Sequence, residues 1–309
     1  MTILITILLL FILFLILLFC IFLTVFARLP KILKTKRTLY RSHQFDGVRQ
    51  SILQRLDELD AKPYKSLSTT STDGKKLFSR LYEANDTSTV IIQMHGYRGH
   101  AIKDFCGSSF YWFKKGKTVL LPDQRAHENS KSNTITFGIK ERYDVLCWIN
   151  LIIKLYGKNV KIILSGISMG AATVLMASQL DLPHNVVGII ADCPYTTPCD
   201  IIKKVASERG FNPKFIYPFI RLSALIFAFT DIEKASPMEA IKHTKLPILF
   251  IHGDDDRFVP YQMGKELYES YNGPKKFVSV ENAGHAFAYF FDTPQYEKAL
   301  DEFAALVLN

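Results

Sequence analysis

From Thr2 to Ala27 the chain carries no charged side chain and is dominated by Leu, Ile and Phe. At about 1.5 Å per residue such a run exceeds the roughly 20 residues that cross a bilayer, so it predicts one transmembrane helix. A cleaved signal peptide fits less well. No basic residue precedes the run, it is longer than a signal's apolar core, and Val25-x-Ala27 is a poor cleavage site. Residues 1–28 are therefore read as an uncleaved single-pass anchor. Residues 29–60 follow as a basic juxtamembrane segment and an amphipathic helix over Leu39–Asp60. There Phe45, Val48, Ile52, Leu56 and Leu59 recur at steps of three and four.

The pattern changes after residue 60, and residues 61–309 read as one large domain. Ser66–Thr72 and Lys75–Glu83 flank Asp73-Gly74, a hairpin turn signal. Short apolar strands then alternate with helical segments. The strands are expected over Val90–His95, Thr118–Pro122, Val160–Leu164, Val186–Ala191, Pro247–Ile251 and Phe277–Val280. Helices are expected over Lys103–Lys115, Ile139–Tyr156 and Gln295–Leu308, with a small-residue helix over Ala171–Ala177. This alternation implies an α/β fold with a mainly parallel sheet covered on both faces, whose ligand site lies beyond the carboxyl ends of the strands. About fifty residues interrupt it, near 194–245, and are rich in aromatics such as Phe211, Phe215 and Phe227. They are read as a helical cap shaping an apolar pocket.

Charge narrows the partners. The chain has 309 residues and a formal net charge of +9, but residues 1–41 hold six basic groups and no acidic one, leaving +3 for the rest. The basicity thus belongs to Arg28, Lys31, Lys34, Lys36, Arg37 and Arg41, beside the apolar run. The positive-inside rule puts that flank and the following domain in the cytoplasm, drawn to anionic lipid. No nucleic-acid footprint is left. Five cysteines with no C-x-x-C pair argue against a disulfide framework or a zinc site and favour a reducing compartment.

The candidate chemistry sits at predicted strand ends. Gly166-Ile167-Ser168-Met169-Gly170 joins an apolar strand to a helix, the setting a serine nucleophile needs on a sharp turn. The helix N-terminus and the Met169 N–H can stabilise a developing oxyanion. A serine hydroxyl needs a base, and the base an orienting carboxylate. His285 follows the strand ending at Val280. Asp254, Asp255 and Asp256 follow the strand ending at Ile251, and only one of them can approach a single imidazole. His252 precedes the acids and is read as structural, as are His95 and His100, which lack a carboxylate or cysteine at metal spacing.

With these segments the chain resembles the α/β-hydrolase superfamily, and within it membrane-anchored bacterial serine hydrolases of esterase type. The resemblance covers about residues 60–309. It rests on His95-Gly96-Tyr97, Asp123-Gln124-Arg125-Ala126-His127, Gly166–Gly170, His252-Gly253 with Asp256 and Val259-Pro260, and Gly284-His285. It implies the α/β-hydrolase fold and the order Ser168, Asp256, His285, with Asp256 as the acid. The Tyr97 N–H becomes the second oxyanion donor, and its ring a candidate for the acyl pocket. It further implies acyl-ester or peptide-bond hydrolysis through an acyl-serine, with no cofactor. The chain is read as a carboxylesterase acting on a small-molecule acyl ester, with no metal. A prolyl-oligopeptidase-type peptidase and a silent, membrane-tethered binding protein remain alternatives. In one place the chain departs from relatives: after His127 they continue Gly-x-Ser-x-Gly, whereas here Glu128-Asn129-Ser130-Lys131-Ser132 follows.

Overall fold

A computed structural model of the protein describes residues 1–28 and 46–308. Helix α1 (Thr2–Val25) is long and apolar enough to cross a membrane by length and composition. The basic residues from Lys31 to Arg41, and the expected Leu39–Asp60 helix before residue 46, lie outside the described residues. The remainder of that helix is α2 (Arg49–Ala61), which buries the Ile52, Leu56 and Leu59 stripe.

The domain grows from the hairpin of β1 (Lys65–Thr70) and β2 (Lys76–Tyr82), paired antiparallel around the Gly74 turn at φ +78°. β3 (Thr89–Met94) is fully buried. The single helix expected at 103–115 forms as two, α3 (Ala101–Phe105) and α4 (Ser108–Lys114). The break falls at Gly107, where the Tyr289 ring packs against the backbone and leaves no room for a side chain. Then follow β4 (Thr118–Asp123), α5 (Glu141–Tyr156), β5 (Lys161–Ile167), α6 (Met169–Ala177) and β6 (Val186–Asp192).

Between β6 and the next strand lies the aromatic insertion. It folds as α7 (Pro198–Glu208), α8 (Pro213–Ser223), a π-helical turn over Ala224–Ala228 and the short α9 (Pro237–Ala240). Three helix starts, at Thr197, Asn212 and Ser236, have side-chain caps, each followed by Pro at the first position. The chain closes with β7 (Ile248–Gly253), α10 (Tyr261–Ser270), β8 (Lys275–Val280), α11 (Ala288–Phe291) and α12 (Thr293–Leu308). Helix α10 was not expected: it is ten residues long and buries only Gly264 and Leu267, less than three turns of apolar period.

The eight strands form one sheet in the order β1-β2-β4-β3-β5-β6-β7-β8, antiparallel across β1, β2 and β4 and parallel from β4 to β8. One face packs under α2, α4 and α12, the other under α5, α6 and α10. Burial on both faces explains why the central strands read as unbroken Val/Ile/Leu runs.

The turn of the predicted hairpin is tied to α5 by one buried cation. Arg125, 1% exposed, donates from Nε and Nη2 to both carboxylate oxygens of Asp144 on α5 (2.7 and 2.6 Å) and from Nη1 to Asp73 in the turn (2.9 Å). Burial pushes the Asp73 carboxyl up, but the hydrogen bonds from Arg125 and Ser71 outweigh it and hold the group at about 2. A carboxyl lowered by folding stabilises the fold above its unfolded value near 4, and that contribution is lost as pH falls towards 2. Removing the guanidinium strands Asp144 as a buried unpaired charge. Arg125→Met should therefore lower the unfolding free energy by about 3–5 kcal/mol in urea titrations at pH 7. Arg125→Lys should recover little, because an ammonium cannot make the fork.

Candidate active site

β5 and α6 meet at Ser168, whose backbone stands at φ +57°, ψ −118°, a conformation rarely adopted outside glycine. The turn is tight enough that both flanking glycines are required. A Cβ on Gly170 would lie 1.8 Å from the Met94 carbonyl oxygen, and one on Gly166 2.3 Å from the backbone of Gly170. The Ser168 N–H donates to the Asp192 carbonyl at the end of β6 (2.8 Å), pinning the elbow between two strands.

The three expected partners converge. His285 Nε2 lies 2.9 Å from Ser168 Oγ, and its Nδ1 2.7 Å from Asp256 Oδ2. A neutral ring satisfies both contacts by donating from Nδ1 to the carboxylate and accepting at Nε2 from the hydroxyl. The other oxygen of Asp256 accepts from the N–H groups of Phe258 and Val259, both at 2.9 Å. Burial pushes the Asp256 carboxyl up. The charge of His285 and the hydrogen bonds of His252 and His285 overcome it, so the group titrates well below the usual carboxylate range. Its neighbours are spent elsewhere: Asp254 accepts from the Asn282 N–H (2.7 Å) and joins the two loops, while Asp255 pairs with Arg257 on the surface. Of the three consecutive aspartates, Asp256, the one the resemblance implies, is the one whose carboxylate meets the imidazole.

The histidines read as structural have structural contacts. His252 is fully buried, with Nε2 3.0 Å from the Val259 carbonyl and 3.4 Å from Asp256. His95 bridges the Gly96 carbonyl (2.9 Å) and the Gln124 N–H (3.0 Å), and His100 accepts from the Ile102 N–H at the start of α3.

The His95-Gly96-Tyr97 loop runs directly beside the serine: a Cβ on Gly96 would be 3.3 Å from Ser168 Cβ. Met169 opens α6, so its N–H has no acceptor within the helix. The Tyr97 ring stacks on Phe137 at 5.0 Å, and its hydroxyl donates to the Val25 carbonyl of α1 (2.7 Å). Ser168 and Met169 border an apolar cavity of about 280 Å³ whose walls include Tyr97, Phe137, Ile202 and Ile220. The aromatic insertion thus lies against the candidate nucleophile.

Two residues near the site carried no motif. Cys193, with Asp256 and His285, offers three possible ligand atoms within 4.8 Å of one another. Burial beside Asp192 and Asp256 pushes its thiol well above the normal range, and the other two groups already bond each other, so the set does not fit a metal. Asp192 ends β6, wholly buried, with one oxygen accepting from Tyr296 Oη (2.9 Å) and the other unpartnered among the described residues. Only its position at a strand end could have flagged it. Burial pushes its carboxyl up to about 6 despite the Tyr296 bond. A raised carboxyl stabilises the fold below its unfolded value near 4, and that benefit is lost as pH rises through 6. Asp192→Asn should match the parent near pH 4 and exceed its stability by on the order of 3 kcal/mol at pH 7. Parallel thermal melts across that range would contradict the account.

No family model matches the chain. It is 27% identical over 220 residues to the uncharacterised protein YqkD of Bacillus subtilis, covering 71% of this chain and 72% of that one. It is 29% identical over 146 residues to the lysophosphatidylserine lipase ABHD12 of Danio rerio, a match spanning 43% of this chain and 36% of the fish protein. Among solved structures, the esterase Pf2001 of Pyrococcus furiosus superposes with a TM-score of 0.64 at 21% identity, covering 82% of this chain and 94% of that one. Est1E of Butyrivibrio proteoclasticus, with ferulic acid bound, gives 0.61 at 19%, covering 78% and 99%. Agreement over nearly the whole length of these structures matches what the strand order and the serine elbow indicate: the chain has the α/β-hydrolase fold.

Proposed function

We propose that this protein is a serine hydrolase that cleaves carboxylic esters through an acyl-serine intermediate. The observation that carries the reading is the hydrogen-bonded chain from Ser168 Oγ through His285 to Asp256, at 2.9 and 2.7 Å, assembled from the ends of three different strands. Its likeness to solved esterases, and to a relative whose name describes a lipase, supports ester cleavage as the reaction.

In this mechanism Ser168 Oγ attacks the ester carbonyl while His285 Nε2 takes its proton. Asp256, ionised well into the acid range, holds the ring by Nδ1–H and stabilises the imidazolium. The Met169 and Tyr97 amides receive the negative charge of the tetrahedral intermediate. His285 then returns the proton to the departing alcohol. Water, activated by the same imidazole, attacks the acyl-serine, and the carboxylic acid leaves with Ser168 restored. The apolar cavity accepts the acyl group, and α1 anchors the enzyme in a membrane as a single span.

Fluorophosphonate labelling, paired with hydrolysis of a soluble acetate ester, tests the reading. Parent protein should label, and Ser168→Ala and His285→Ala should not. Their turnover should drop by roughly 10³-fold or more with thermal melts close to the parent's. A folded parent that neither labels nor hydrolyses any ester would leave a binding role in place of catalysis.

A further inference from the structure

The aromatic insertion is apolar on faces that a soluble cap would make polar. From Phe211 to Phe229 the only charged residues are Lys214 and Arg221, and neither is acidic. Helix α8 turns Ile216 and Ile220 towards the Ser168 cavity, yet Phe215 and Phe219, on its other side, are 75% and 39% exposed. Leu225 and Ile226 of the π-helical turn are exposed as well. Phe229 is 82% exposed on a left-handed backbone at φ +49°, a costly conformation for a bulky residue. Large apolar side chains exposed together in this way mark an interaction surface.

That surface is continuous with α1. Phe14 meets Phe219 edge-on at 6.2 Å, and Phe19 and Phe22 meet Phe227 at 5.2 and 5.7 Å. Phe14 lies about 17 Å along the helix from Val25, more than half of a hydrocarbon core about 30 Å thick. If α1 crosses the bilayer, α8 and the π-helical turn lie beside it within one leaflet. The last turns of α1 also wall the cavity: Cys20, Ile21, Thr24 and Val25 line it together with Ser168. Cys20 and Thr24 of that wall are exposed, as are Arg209, Phe211 and Phe258, and these mark its mouth between the end of α1 and the loop joining α7 to α8. Arg209 makes no ion pair among the described residues, and its cation at the mouth suits an anionic head group.

We propose that the cap and α1 form one surface immersed in a lipid leaflet, and that the Ser168 cavity opens within it. The substrate is then the long-chain acyl ester of a membrane lipid, entering sideways from the leaflet with α1 as one wall of its acyl site. This assignment of substrate rests on the serine-hydrolase reading, whereas the immersion of the cap does not.

The test uses the full chain reconstituted in phosphatidylcholine–phosphatidylglycerol vesicles, with and without brominated acyl chains. Native Trp112 and Trp148 are each 1% exposed and supply a constant background. Tryptophan placed by Phe215→Trp or Phe229→Trp should emit at blue-shifted wavelengths and lose at least half its intensity to brominated lipid. Leu155→Trp, at the far end of the domain, should emit as in water and be unaffected. The double variant Phe215→Asp/Phe229→Asp should lower the ratio of turnover on a vesicle-borne long-chain ester to turnover on a soluble acetate ester at least tenfold. Water-like, unquenched emission at Phe215 and Phe229 would overturn the proposal. So would blue-shifted emission that brominated lipid leaves unquenched, since a second protein copy would then cover the face. An unchanged ratio would overturn entry from the leaflet. Loss of all ester turnover in the parent, with quenching intact, would instead remove the hydrolase reading and leave the immersed cap standing.

Discussion

The site depends on a backbone-on-backbone contact. Gly170, at the start of α6, sits so close to the Met94 carbonyl at the end of β3 that no side chain fits between them. That contact sets the helix directly over the edge of two neighbouring strands and forces Ser168 into its positive-φ conformation. Strain of this kind persists only where surrounding structure over-determines it. Here the sheet does so on both sides, through β3 beside β5 and through the Ser168 N–H bonded to Asp192 on β6. The hydroxyl is thereby fixed where the β7 and β8 loops deliver the carboxylate and the imidazole.

Much of this was legible in the chain because it is written in local signals. Strands buried on both faces leave continuous apolar runs, the elbow leaves its paired glycines, and the Asp73-Gly74 turn leaves a hairpin. What stayed hidden is set by contacts across long sequence separations. Residue type and strand-end position alone do not separate Asp256 from Asp254 and Asp255, and only the family resemblance pointed to it. In the structure they differ in what they meet: His285 twenty-nine residues later, against Asn282 for one neighbour and Arg257 for the other. Asp192 looks like any strand-end residue until Tyr296, over a hundred positions away, closes on it. Helix α10 escaped although Gly264, Leu267 and Tyr268 fall at helical spacing, because ten residues hold too few turns for that period to stand out.

The N-terminal helix is the larger case. A run apolar on every face announces its length and its preference for lipid, but says nothing about which face packs on protein. In the structure that face carries Leu18, Phe22 and Phe26, all buried. Nothing in the spacing of a uniformly apolar helix distinguishes these three from Leu17 or Leu23, which are exposed.

The departure at Glu128–Ser132 gains a physical meaning from the same contact. Where relatives carry two glycines, this loop receives the chain leaving α1. The Arg28 guanidinium donates to the Glu128 and Ser130 carbonyls, and Ala27 pairs with Thr134 as an isolated bridge. On the other side, Arg98 donates to the Thr24 carbonyl (2.8 Å) and Tyr97 to that of Val25, filling acceptors that the end of a helix leaves open. Tyr97 is also the residue beside Ser168 whose amide is aimed at the oxyanion in the proposed mechanism. The end of α1 and the loop bordering the nucleophile are thus one hydrogen-bonded unit. Displacing the helix breaks either the Tyr97–Val25 bond or the stacking of Tyr97 on Phe137, and each of those fixes the loop.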